Sequence, residues 1–284
     1  MDSKTQHSLA LTAAKARLLL MRAVFRAGCG HPGGSLSACD ALSVLYFHKT
    51  RIDPKHPQDP ERDRFVLSKG HGAPALYAVL SLRGYFPEEE VLGFRQIGSR
   101  LSGHPDMKKT PGVDMSTGSL GQGFSAAVGM AMAGKLDQAN YRVYTLLGDG
   151  EVEEGQVWEA AMAASKFGLD NLCAAVDVNG LQIDGRTADV MPSEPLDKKF
   201  EAFGWHVIHV QGHDIADLDR AFDEASQVKG KPTMLLLHTV KGKGVSFMEN
   251  DYSWHGKAPN AEQFAVAEAE LLARVAELEA EENG

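Results

Sequence analysis

Apolar residues alternate along the chain between short unbroken runs and longer stretches at helical spacing. Residues 8–27 (SLALTAAKARLLLMRAVFRA) are rich in Ala and Leu with basic residues spread among them, and predict a helix. After the loop Gly28-Cys29-Gly30-His31-Pro32-Gly33-Gly34, the string Ser35-Leu36-Ser37 is placed to cap a helix carrying ALSVLYFH. Residues 49–63 are polar, hold three prolines and read as a surface loop. A short strand at 65–67 ends on SKGHG, and APALYAVLSLRG follows as a helix. From residue 98 to 123 the chain is rich in Gly, Ser, Pro and His with little periodicity. A segment of that length inside a compact domain is usually functional.

Beyond it come a helix of small residues (124–137), a strand (142–147), a further helix, and a strand (171–178). Residues 180–195 read as a polar loop and 197–204 as a short helix. Strands at 205–210 and 233–240 bracket a helix at 215–228. Residues 241–260 are loop, and 261–282 form an acidic amphipathic helix. The alternation predicts one doubly wound α/β domain over residues 1–284, a mostly parallel sheet flanked by helices.

That topology gives meaning to two turns. Gly148-Asp149-Gly150 closes one apolar run and Asn179-Gly180 the next, with a helical stretch between. A strand, crossover helix and parallel strand bring both ends to one edge of the sheet, where open α/β sheets bind ligands. GDG and Asn-Gly are each common as plain turns. Paired at strand ends, they offer a carboxylate and an amide oxygen, donors that suit Mg2+ or Ca2+ beside a phosphate-bearing ligand.

Composition narrows the partners. Of 284 residues, 43% are hydrophobic and 24% charged, ordinary for a globular protein. A net charge of −9 without a Lys/Arg cluster excludes a nucleic-acid groove, so any phosphate must be held by metal, backbone N–H groups and local polar residues. Cys29, Cys39 and Cys173 lack metal-ligand spacing and read as free thiols of an intracellular protein. The stretch around LLLMRAVF is broken by Arg17, Arg22 and Arg26, too short and too charged to span a membrane, and no signal peptide precedes it. The expectation is a cytoplasmic protein. Of the eleven histidines, His7, His48, His56, His206, His209 and His238 need only structural explanations. His31, His71, His104 and His255 lie in Gly/Pro-rich loops, where a scaffold places catalytic groups.

Six strings in order (GHPGG from Gly30, SKGHG from Ser68, GHP from Gly103, STGSLGQG from Ser116, GDGEVEEG and DVNG) resemble the transketolase family from near residue 8 to about residue 260. The resemblance implies a thiamine diphosphate-binding fold and two-carbon ketol transfer. It implies Mg2+, with Ca2+ or Mn2+ as substitutes, held by Asp149, Asn179 and the main-chain carbonyl of Leu181. Gly118 and Leu120 would contact the aminopyrimidine through their backbone, with His71, Gly150 and Asn179 also beside the cofactor. Glu154 matches a family glutamate near the cofactor and the subunit interface. His31 and His255 would move protons at sugar hydroxyls, His104 would meet the donor's C1 hydroxyl, and His71 would line the channel. His213 reads as structural. An inserted Lys257 departs from the pattern after His255, and Lys241 and Lys243 meet either the diphosphate, the substrate or solvent.

Full-length transketolases continue into a pyrimidine-binding domain that supplies a glutamate to the aminopyrimidine and most of the sugar-phosphate grip. The resemblance therefore implies the N-terminal subunit of a split transketolase. It would work in an α2β2 assembly with a separate C-terminal subunit, on sugar phosphates or related sugars. Half of a deoxyxylulose-phosphate synthase-like or 2-oxo acid dehydrogenase E1α-like enzyme is the alternative, disfavoured by SKGHG together with GHPGG. A non-catalytic cofactor-binding protein is a third reading.

Overall fold

The computed structural model describes residues 1–282. In chain order its elements are α1 (Ser3–Ala27), α2 (Pro32–Leu36), α3 (Cys39–Val44), β1 (Arg64–Leu67), α4 (Ala73–Arg83), α5 (Gln122–Leu136), β2 (Val143–Gly148), α6 (Gly155–Lys166), β3 (Leu172–Val178), β4 (Leu181–Gln182), β5 (Gly185–Arg186), α7 (Thr187–Val190), α8 (Leu196–Ala202), β6 (His206–Gln211), α9 (Ile215–Gln227), β7 (Thr233–His238) and α10 (Ala261–Glu282). Five strands pair in the order β1-β2-β3-β7-β6, every pair parallel. The two-residue strands β4 and β5 form a separate antiparallel hairpin.

Strand alternation splits the core in two. On β3, Cys173 and Ala175 join α1, α3, α4 and α9 on one face, while Leu172, Ala174 and Val176 join α5, α6 and α8 on the other. Leu235 and Leu237 of β7 divide from Met234 and Leu236 in the same way. Both faces are covered, so these strands read as continuous apolar runs. Burial pushes the Cys39 and Cys173 thiols up to about 12, which makes them inert packing groups.

The chain steps from β1 through β2 to β3, jumps to the far edge at β6, and returns to β7. Its direction across the sheet reverses between β3 and β7, the switch point where open sheets leave a crevice. The carboxyl ends of β1, β2, β3 and β7 deliver Lys69, Asp149, Asn179 and Lys241 to that crevice. No helix among the described residues is long and apolar enough to cross a membrane.

Two expectations change. The helix after the first Gly-rich loop is not capped by Ser35 or Ser37: α2 begins at Pro32 and α3 at Cys39. The Ser35 hydroxyl donates to the His31 carbonyl at 2.7 Å and the Ser37 hydroxyl to Asp177 at 2.6 Å, so both are engaged elsewhere. Residues 180–195 are not a plain loop, since they hold β4, β5 and α7. Two-residue strands are too short to show a period. The predicted helix at 261–282 coincides with α10, and the last two residues of the 1–284 domain lie outside the described residues.

Candidate active site

Asp149 stands at the end of β2 and is 4% exposed. Its carboxylate accepts backbone N–H groups from Gly150 at 2.9 Å, Asn179 at 2.9 Å and Gly180 at 2.5 Å. Burial, then the neighbouring Asp177, pushes its pKa up to about 6. Among the described residues it forms no salt bridge, and the nearby Lys241 charge lowers its pKa without offsetting burial. The Asn179 Oδ1 accepts the Leu181 N–H at 3.1 Å, and the Leu181 carbonyl accepts the Lys241 ammonium at 3.2 Å. Lys241 is 2% exposed, and burial followed by the nearby Lys69 lowers its pKa to about 8.

These groups line a cavity of about 190 Å³ together with His71, Leu120 and His255. One carboxylate, one amide oxygen and one carbonyl fit a hard divalent cation whose remaining ligands come from a phosphate and water. Among the described residues no group of three or more His, Cys, Asp or Glu side chains could hold a metal, so a softer all-side-chain site is not built.

The four loop histidines meet beside this cavity. His31 lies 5.5 Å from His71, 6.1 Å from His104 and 5.6 Å from His255 between ring centroids, and His71 lies 4.9 Å from His255. All four are held below the ordinary histidine range, chiefly by burial. His31 falls to about 4 and His255 to about 3, with further lowering from Arg95 on His31 and from Lys241 on His255. His71 is held well below its ordinary value, and His104 is lowered as well. They are neutral at physiological pH and can accept protons. The Nδ1 atoms of His31 and His255 are buried without a hydrogen-bond partner.

Local sequence builds this arrangement. Pro32 follows His31 and holds it out of the helical region, at φ −119° and ψ 78°. Gly118 has φ +151°, and a Cβ there would sit 3.2 Å from the His104 ring, so glycine lets this loop pass close by.

Several site groups escape sequence reasoning. Lys69 and Asp177 form an ion pair, each side chain 1% exposed, with Lys69 also donating to the Gly34 carbonyl at 2.7 Å. Ser37 and Thr239 donate to the same carboxylate, and despite the opposing effect of burial, Lys69 and these donors lower the Asp177 pKa. An aspartate inside the buried run LCAAVDV was the available signal. Glu151, also in the cavity wall, is 2% exposed and carried no recognisable signal.

Other expected residues lie apart. Glu154 is exposed at the start of α6 and does not line the cavity. Lys243 pairs with Glu249 at 3.4 Å, and Lys257 lies over the Trp254 ring at 5.2 Å. His213 is structural, with Nδ1 2.7 Å from Asp40 and Nε2 accepting the Val240 N–H at 2.8 Å.

Residues 8–274 match the family model of the transketolase thiamine diphosphate binding domain. The chain is 51% identical over 255 residues to SqwG of Clostridium sp. (strain MSTE9), a subunit of a 6-deoxy-6-sulfo-D-fructose transketolase, covering 90% of this chain and 93% of that protein. It is 45% identical to a subunit of the apulose-4-phosphate transketolase of Phocaeicola vulgatus, covering 98% of each. The crystal structure of transketolase from Campylobacter jejuni superimposes with a TM-score of 0.88 at 32% identity, over 98% of this chain and 46% of that one. The chain belongs to the transketolase family, as its N-terminal, thiamine diphosphate-binding subunit.

Proposed function

We propose that this chain is one half of a two-chain transketolase, a single diphosphate-binding domain that moves a two-carbon ketol unit from a ketose donor to an aldose acceptor. The observation that carries the reading is the shared cavity: neutral His71 and His255 face the same space as the buried, unpaired Asp149.

Asp149, Asn179 and the Leu181 carbonyl would hold Mg2+, which would offset the charge of the thiamine diphosphate tail. Lys241, buried beside them, adds a positive charge to the same anion. Gly118 and Leu120 meet the aminopyrimidine by their backbone. Bound thiamine diphosphate supplies the electron sink for breaking and remaking the carbon–carbon bond. His31 and His255 take and return protons at the sugar hydroxyls. His104 binds the C1 hydroxyl of the donor, and His71 borders the channel. Arg95, whose charge lowers both His31 and His104, favours a substrate bearing an anionic end, a phosphate or a sulfonate.

A separate C-terminal subunit supplies the pyrimidine side, most simply in an α2β2 assembly. Two observations support this: relatives of matching length are named as subunits, and exposed Glu154 is free to meet a partner. Calorimetric titration of the purified chain with thiamine diphosphate tests the reading. Binding that requires Mg2+ is expected, and binding indifferent to Mg2+ contradicts the proposed site.

A further inference from the structure

Three loops bordering the cavity converge on a carboxylate that the proposed chemistry does not use. Glu151 Oε1 accepts the Ser68 hydroxyl and, at 2.9 Å, the Gly121 N–H. Its Oε2 accepts the Gly148 N–H at 3.0 Å. The Ser68 oxygen in turn accepts the Phe124 N–H at 2.9 Å. Ser68 opens the loop that carries His71, Gly121 follows the Gly118–Leu120 stretch, and Gly148 precedes Asp149. Glu151 is a buried carboxyl group whose hydrogen-bond partners are all neutral donors; burial pushes its pKa up, those donors hold it down, and no salt bridge reaches it among the described residues.

We propose that Glu151 is a positioning residue that fixes the spacing between the Asp149 end of the cavity and the Gly118–Leu120 loop. This rests on the thiamine diphosphate reading, in which the first grips the diphosphate and the second the ring. The side chain suits that role by its hydrogen-bonding inventory. The two backbone N–H groups can only donate, and the Ser68 hydroxyl, which accepts from Phe124, donates to Oε1. Three donors on two oxygens call for a carboxylate. Glutamine presents an NH2 to at least one of those donors, leaves it unsatisfied and lets one loop drift. Glu151 ties the loops together without needing contact with the reacting atoms.

The test compares Glu151→Gln with the wild-type full chain in two readouts. In the ligand-free protein, amide hydrogen exchange is expected to quicken at residues 118–124 and 148–150 together, and to stay unchanged in β6. With Mg2+ present, thiamine diphosphate is expected to bind about tenfold or more weakly, the consequence of one unsatisfied buried donor. Inorganic pyrophosphate, which needs only the Asp149 end, is expected to lose clearly less. Unchanged exchange in either loop, or equal losses for the two ligands, overturns the proposal. If the wild type binds neither thiamine diphosphate nor inorganic pyrophosphate with Mg2+ present, the diphosphate site of the proposed function fails, while the exchange data still decide the role of Glu151. Should Glu151→Gln not fold, Ser68→Ala removes one donor to Glu151 together with the acceptor of the Phe124 N–H, and faster exchange at 148–150 as well as at 118–124 is expected, since the Phe124 bond alone does not reach the Gly148 turn.

Discussion

Asp149 and Asn179 end neighbouring parallel strands, and the carboxylate of the first accepts the backbone N–H of the second at 2.9 Å. The bond fixes the carboxylate between two strand ends. Buried, held by three backbone N–H groups and pushed up to about 6, it offers a hard oxygen donor at the sheet edge.

The folded pKa of Asp149 lies above the ordinary aspartate value of 3.8, so the stability it contributes is present below about pH 4 and is lost as pH rises through 6. A divalent cation favours the ionised form and competes with the proton. Mg2+-dependent binding of thiamine diphosphate is therefore expected to hold at pH 7.5 and to weaken by about tenfold per pH unit below 6, one proton per metal. Asp149→Asn should abolish the Mg2+ dependence. A calorimetric titration in which the variant matches the wild type would remove Asp149 from the metal site.

His31 and His255 give the opposite sign. Their folded values of about 4 and 3 lie below the ordinary 6.5, so the unfolded chain takes up protons first as pH falls. Their contribution to stability is present above 6.5 and lost as pH falls through the folded values. Replacing His255 by Asn should blunt the fall in melting temperature between pH 6.5 and 4, and parallel curves would contradict the buried neutral state. His31→Ala should lower kcat of the assembled enzyme by about 10²- to 10⁴-fold, the usual share of a general acid or base. An unchanged rate would remove His31 from the chemistry.

Lys69 and Asp177 form the buried ion pair beneath the site, and Lys69→Met strands the carboxylate among Ser37 and Thr239. Breaking a pair so buried costs about 3–5 kcal/mol. Urea unfolding should show that loss in the midpoint, and a variant as stable as the wild type would mean that Asp177 is not held by the pair.

Much of this was legible in the sequence because loops at strand ends carry the chemistry. The unbroken runs at 142–147 and 171–178 placed Asp149 and Asn179 on one sheet edge, where the structure finds them. The four loop histidines were separable from His206, His209 and His238, which lie on β6 and β7. What stayed hidden depends on contacts across long sequence distances. Glu151 reads as an ordinary acidic residue after a turn until Ser68 and Gly121 fold onto it, and Lys69 until Asp177 does. The hairpin β4–β5 escaped because its strands are too short to carry a pattern.

The central claim, a half-enzyme completed by another chain, is met most directly by a ketol-transfer assay. The purified chain would be measured alone and after mixing with a pyrimidine-binding transketolase subunit from the same organism, with thiamine diphosphate and Mg2+ throughout. The expected result is no transfer from either chain alone and transfer from the mixture. Turnover by the isolated chain would contradict the account.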